Sequence, residues 1–227
     1  MEMSNMSIIP LGIYLLVAVL DWVSVAKSLK PLEYLAKPGA MIVLIAWMVS
    51  LGGLNPPAVW FSLGLVFSLA GDVFLMLPVE QFVAGLVAFL IAHLCYTVGY
   101  NTTPLPVNVV SAILLALVAL VAIRLYRRIE KGLIAVGQGA LRLPVLLYSL
   151  VISVMLFSAL TTFLRSEWAP GAALLAGFGA LLFFLSDSLL AWNKFVQPLR
   201  NGRLMVIITY HLGQALIAGG AMLNYLT

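Results

Sequence analysis

Apolar residues gather into eight long runs: Ile8–Val25, Pro38–Leu54, Ala58–Leu77, Phe82–Tyr100, Val107–Ile123, Leu143–Phe163, Ala172–Trp192 and Leu204–Leu226. A helix needs about 20 apolar residues, within a range of about 17 to 25, to cross the hydrocarbon core of a bilayer, and each run has such a length. Breaker residues mark most of the joins: Asn55-Pro56-Pro57, Pro78, Pro104 with Pro106, Pro170-Gly171 and Asn201-Gly202. The runs lack the period-two alternation of a membrane β-barrel strand. The pattern therefore predicts an all-α integral membrane bundle of eight transmembrane helices, one domain over residues 1–227.

Two stretches set a lone carboxylate in matched apolar surroundings, Asp72 in Ser68-Leu69-Ala70-Gly71-Asp72-Val73-Phe74-Leu75 and Asp187 in Phe184-Leu185-Ser186-Asp187-Ser188-Leu189-Leu190. A helix-centre aspartate costs about 2.5 to 3.5 kcal/mol on insertion scales, so an intramembrane acid is a functional-site hypothesis by default. The settings match. A glycine stands eight residues before each acid (Gly64, Gly179) and a leucine three after (Leu75, Leu190). The next run in each case holds His-Leu, at His93 and His211, which are the chain's two histidines. Asp72 to His93 is 21 residues and Asp187 to His211 is 24, a difference that a longer connecting loop absorbs. This reads as a degenerate repeat of four helices per half.

Composition agrees with the membrane reading: of 227 residues, 63% are hydrophobic and 9% charged, against about 25% charged in soluble domains. The net charge of +4 must first be tested as a topology signal, and nucleic acid is not an expected partner. The single cysteine, Cys95, excludes an intramolecular disulfide. Met1–Ser7 holds Glu2 and no basic residue, which argues against a cleaved signal peptide.

If eight helices are right, the connections after the odd-numbered ones share one side of the membrane. They hold Lys27, Lys30, Lys37, Arg124, Arg127, Arg128, Lys131, Arg142, Lys194, Arg200 and Arg203, and the other side holds only Arg165. Eleven against one predicts that the odd connections are cytoplasmic and both termini are not. Asp72 and Asp187 then lie five residues before cytoplasmic helix ends, at one level, with both imidazoles in the same half. A cavity opening on that side would join them. Asp21, beside Trp22, is expected to snorkel to the interface.

The helix faces favour a shared cavity. Gly64, Ser68 and Asp72 recur every four residues, a small, polar stripe suited to close helix contact or to a pocket wall. His93, Tyr96 and Tyr100 share a face of the fourth helix, and Tyr210, His211 and Gln214 are close enough on the eighth to address one region. Interhelical hydrogen bonding is the plainer role for such groups, most of all for Tyr100.

Standard site motifs are missing: there is no HExxH, Walker loop, GxSxG elbow or CxxC. No local ligand spacing supports a metal held by the two acids and two histidines. What the chain does resemble is the lysoplasmalogenase family, the YhhN-like membrane proteins. The likeness lies in Gly71-Asp72-Val73-Phe74-Leu75-Met76, Ala92-His93-Leu94-Cys95-Tyr96, Phe184 through Ala191, Asn193-Lys194-Phe195, Tyr210 through Gln214, and Lys37-Pro38.

The resemblance implies a hydrolase that cleaves the vinyl ether bond of lysoplasmalogens, giving a fatty aldehyde and a glycerophospho-base, without a cofactor. Its expected partners are a lysophospholipid with a vinyl ether chain and the lipid bilayer of a plasma membrane; the sequence carries no oligomer signal. Two carboxylates in different environments can divide acid–base work, as they do in glycosidases, so Asp72 and Asp187 are the expected catalytic pair. Lys37, His93, Tyr96, Asn193, Tyr210, His211 and Gln214 are the expected substrate-binding residues, with Lys37, Lys194 or Arg203 meeting the phosphate at the mouth. The alternative class is a proton-coupled transporter or lipid-binding protein, since paired repeats and buried acids also fit that pattern.

Overall fold

A computed structural model describes residues 5–77 and 81–225, with side chains from Ile9 onward. The described residues form eight α-helices: α1 Asn5–Ala26, α2 Lys30–Ser50, α3 Val59–Met76, α4 Phe82–Tyr100, α5 Val109–Ala135, α6 Arg142–Thr161, α7 Pro170–Phe195 and α8 Gly202–Tyr225. All eight are long and apolar enough to cross a membrane. Pro78, one of the expected breakers, and Leu226, the expected end of the last run, lie outside the described residues, as does most of Met1–Ser7.

Two helices outrun their apolar cores. Hydropathy starts the second run at Pro38, but α2 begins at Lys30 with a proline in its first turn, where the missing N–H costs no hydrogen bond. Its first two turns carry Lys30, Glu33, Tyr34 and Lys37, spaced so that they share one face. Lys37 is therefore a helical residue rather than a loop charge. At the other extreme α5 runs 27 residues, about 40 Å at 1.5 Å per residue, so Arg124, Arg127, Arg128 and Lys131 ride on a helix that outreaches the hydrocarbon. It starts where Asn108 and Ser111 cap each other, Ser111 N donating to Asn108 Oδ1 (2.9 Å) and Asn108 N to Ser111 Oγ (3.0 Å). Only 6% of its apolar window is buried, which makes α5 the peripheral helix.

Helices pair as sequence neighbours, most closely α7 with α8, α3 with α4 and α1 with α2, and α8 also touches α1, α2 and α3. The two tightest pairs use glycine differently. In α3 and α4 aromatic rings lie on glycines, Tyr96 over Gly64 and Phe89 over Gly71. In α7 and α8 backbone meets backbone: a methyl on Gly179 would lie 2.6 Å from the amide nitrogen of Ile217 and 2.9 Å from the carbonyl oxygen of Gly213. Small residues permit that approach where lipid supplies no hydrophobic drive.

The end of the bundle bearing the α4–α5 and α6–α7 connections is filled by rings. Phe61 meets Tyr100 (5.0 Å between centroids), and Trp168 meets Tyr100 (5.8 Å) and Tyr225 (5.6 Å). Tyr100 thus joins helices by ring packing and not by the interhelical hydrogen bond expected of it, since its hydroxyl has no hydrogen-bond partner among the described residues. Arg165, the lone basic residue of that end, is buried and donates to Thr103 O (2.9 Å) and Asn101 Oδ1 (2.7 Å). It ties the α4–α5 connection to the end of α6.

Candidate active site

The opposite end, where the basic residues gather, holds a chamber of about 470 Å3. Its wall takes Lys30, Glu33, Tyr34 and Lys37 from α2, Asp72 from α3, Asp187, Asn193 and Lys194 from α7, and Arg203 and Tyr210 from α8. The two acids therefore share one chamber. They do not sit at matched distances from their helix ends: α3 stops four residues after Asp72, and α7 continues eight residues past Asp187.

Each acid has its own partners, one from the second helix of its own half of the chain and one from the fourth helix of the other half: α2 and α8 for Asp72, α6 and α4 for Asp187. Asp72, almost fully buried, faces Lys37 Nζ at 3.0 Å through Oδ1 and accepts from Tyr210 Oη at 2.5 Å through Oδ2. The α2 face described above delivers that lysine. Asp187 accepts from Tyr148 Oη on α6 at Oδ2, and His93 Nε2 of α4 stands 3.2 Å from the same oxygen and 2.9 Å from Tyr148 Oη. One carboxylate is an ion pair; the other heads a Tyr–His–Asp triangle. Inside a low-dielectric bundle such charged hydrogen bonds are strong when complete and costly when broken.

The rim of the chamber is locked by Glu33. Its carboxylate lies 3.1 Å from Lys30 Nζ and 2.5 Å from Arg203 Nη2, which ties the start of α2 to the start of α8. Asn193 lines the wall, but its Oδ1 accepts from Leu199 N at 2.8 Å, so it closes the α7–α8 turn. Lys194 lies 5.0 Å from the centre of the Phe82 ring.

Three expected site residues fall elsewhere. His211 is fully buried on the α1 side, where Trp22 Nε1 donates to its Nδ1 at 3.1 Å and Tyr14 Oη donates to its carbonyl at 2.6 Å. The donor on Nδ1 leaves the proton of the neutral ring on Nε2. Adjacent helical residues point about 100° apart, so Tyr210 and His211 cannot both face the chamber. Tyr96 donates to Gln214 Oε1 at 2.7 Å, a buried bond between α4 and α8; both side chains lie outside the chamber wall. These three link helices.

Sequence reasoning passed over Tyr148, Glu33 and the position of Asp21. Tyr148 gives a signal only in being a hydroxyl inside an apolar run, which needs a partner when buried. Asp21 was expected at the interface. Instead it is fully buried, beside Ser24, whose Oγ lies 3.2 Å from its Oδ1. Trp22 cannot anchor it outward because its indole is committed to His211.

No group of three or more His, Cys, Asp or Glu side chains among the described residues is arranged to hold a metal ion. The chamber wall carries two carboxylates with unlike partners.

The profile of the YhhN family matches residues 32–221. Lysoplasmalogenase TMEM86B of Mus musculus is 32% identical, over 90% of this chain and 77% of its own length. Lysoplasmalogenase TMEM86B of Homo sapiens is 36% identical over 70% of this chain and 61% of its own length. The lysoplasmalogenase of Mycobacterium tuberculosis is 30% identical over 80% of this chain and 67% of its own. No solved structure matches significantly. With the match running from the start of α2 almost to the end of α8, the chain belongs to the YhhN family.

Proposed function

We propose that this protein hydrolyses the vinyl ether bond of lysoplasmalogens inside the membrane, with Asp72 and Asp187 dividing the chemistry. The activity is that of its curated relatives, which are lysoplasmalogenases. The observation that carries it to these residues is the pair of acids with unlike partners on one chamber.

Hydrolysis of a vinyl ether begins with a proton added to the alkene carbon remote from oxygen. The carbon beside oxygen becomes an oxocarbenium centre, water adds there, and the hemiacetal collapses to a fatty aldehyde and a glycerol hydroxyl. Asp187 suits the first step, because Tyr148 and His93 can pass a proton to it. Asp72, held as a carboxylate by Lys37, suits the second, placing negative charge near the cationic centre and accepting the proton of water. Tyr210 orients that carboxylate. Lys30, Lys194 and Arg203 on the chamber wall supply positive charge for the substrate phosphate. We place this basic end in the cytoplasm, so the headgroup enters from that leaflet.

The test is aldehyde release from lysoplasmenyl-ethanolamine and lysoplasmenyl-choline by purified protein in detergent, without added cofactor. Steady release that scales with enzyme supports the reading. Absence of aldehyde from both substrates would remove it.

A further inference from the structure

A second, narrow cavity opens behind Asp187. It runs between α4, α5, α6 and α7, and its wall includes Phe89, Leu125, Ile129, Ile152 and Phe184. It meets the polar chamber at Leu75, Phe89, Asp187 and Leu190, which line both. Asp187 is the carboxylate at that junction.

The slot contains serines, yet it offers a ligand almost nothing polar. Ser149 Oγ donates to Val145 O (2.8 Å), Ser153 Oγ to Ser149 O (2.6 Å) and Ser188 Oγ to Phe184 O (2.6 Å). Each hydroxyl proton is spent on its own helix, so the serines act as small residues that leave width. Tyr148 Oη is committed to Asp187. Along α6 the wall runs from Val145 to Ser153, about 12 Å at 1.5 Å per residue. Leu86 belongs both to this slot and to a shallow groove of Val83, Val87, Leu143 and Leu147 on the lipid-facing sides of α4 and α6. Leu86 thus separates the inner slot from a bilayer-facing apolar groove.

We propose that this slot is the chain subsite: it takes the single hydrocarbon chain of a lysolipid, laid between α5 and α6, while the headgroup fills the polar chamber and the bond joining them rests at Asp187. The inference rests on the lipid-hydrolase reading above. One narrow apolar slot that adjoins one polar chamber at Asp187 suits a molecule with one tail and one headgroup. The peripheral helix α5 serves as its outer wall, which gives that mostly lipid-exposed helix a purpose beyond spanning.

The probe is a 1-O-alkyl lysophosphoethanolamine, a saturated ether that cannot be protonated at carbon and so binds without turnover. For the unmodified protein, affinity should rise about fourfold per methylene while the slot is filling. Ser149→Phe and Ser153→Phe put a ring into the slot. Each should weaken long-chain binding roughly tenfold or more and leave a short-chain homologue within about twofold. Equal weakening at every chain length, or none, overturns the proposal. If either variant fails to fold, the unmodified protein still decides. An ether lysolipid carrying a diazirine on its chain should label segments around Leu125 and Ile152, and labelling confined to α1 or α2 overturns the subsite. Chain-dependent binding without aldehyde release from lysoplasmalogens would sink the hydrolase reading and keep the subsite; release with no effect of the two variants does the reverse.

Discussion

The ammonium of Lys37 lies 3.0 Å from Oδ1 of Asp72, and both side chains are largely withdrawn from solvent. Breaking a buried pair by removing one partner costs about 3 to 5 kcal/mol, because the remaining charge is left uncompensated. Lys37→Met should therefore lower the melting temperature of the detergent-solubilised protein. Adding Asp72→Asn should restore most of that loss, since the double variant holds no lone charge, while aldehyde release stays abolished in both. A double variant no more stable than Lys37→Met would mean that the pair does not hold α2 to α3.

Asp187 depends on neighbours from two other helices, Tyr148 and His93. Asp187→Asn keeps the volume and removes the titrating proton. Turnover per folded molecule should fall by about 10²-fold or more, the usual worth of general acid–base catalysis. Tyr148→Phe should fall in the same direction by less, because one hydrogen bond to the acid is lost and the acid stays. Asp187→Asn retaining more than about a tenth of the wild-type rate would strip that residue of its role. The rate and the melting temperature are measured on the same preparations.

The two histidines, alike in sequence setting, should separate cleanly. His211 joins α8 to α1 through Trp22, so His211→Phe and Trp22→Phe should lower stability by about 1 kcal/mol each, the net worth of a typical hydrogen bond. Their turnover per folded molecule should stay near wild type. His93→Phe should do the opposite. If His211→Phe loses turnover with unchanged stability, the assignment of the two rings is wrong.

Orientation can be read with impermeant thiol reagents on intact cells. Leu54 and Gln138 are exposed in the α2–α3 and α5–α6 connections, at opposite ends of the bundle. With the buried Cys95 replaced, Leu54→Cys should label from outside and Gln138→Cys only after the cells are opened. The reverse pattern would turn the protein over in the membrane and place the active-site mouth outside the cytoplasm.

In α7, Gly179 lies under the α8 backbone with no room for a methyl group. Gly179→Leu should therefore separate α7 from α8 and shift Asp187 and Tyr210 together, giving loss of both folding yield and activity. Gly12, which has open space around it, is the control: Gly12→Leu should leave both unchanged.

Eight spans and an all-helical bundle were legible in the sequence, because hydrophobic length is a local property, and the cost of a buried charge singled out Asp72 and Asp187, which the structure sets on one chamber. Residue spacing reported which groups share a helix face, as in the Lys30 to Lys37 turns once α2 is known to begin at Lys30. It did not report which helix that face meets. The repeat made His93 and His211 look equivalent, yet packing gave the first to Asp187 and the second to Trp22. Asp21 looked like an interface residue and is fully buried. Tyr148 stands 39 residues from the acid it serves, within an apolar run that any spanning helix could contain. Partner choice between helices is a long-range matter, decided by which glycine lets which backbone come close, and only the tertiary structure holds that information.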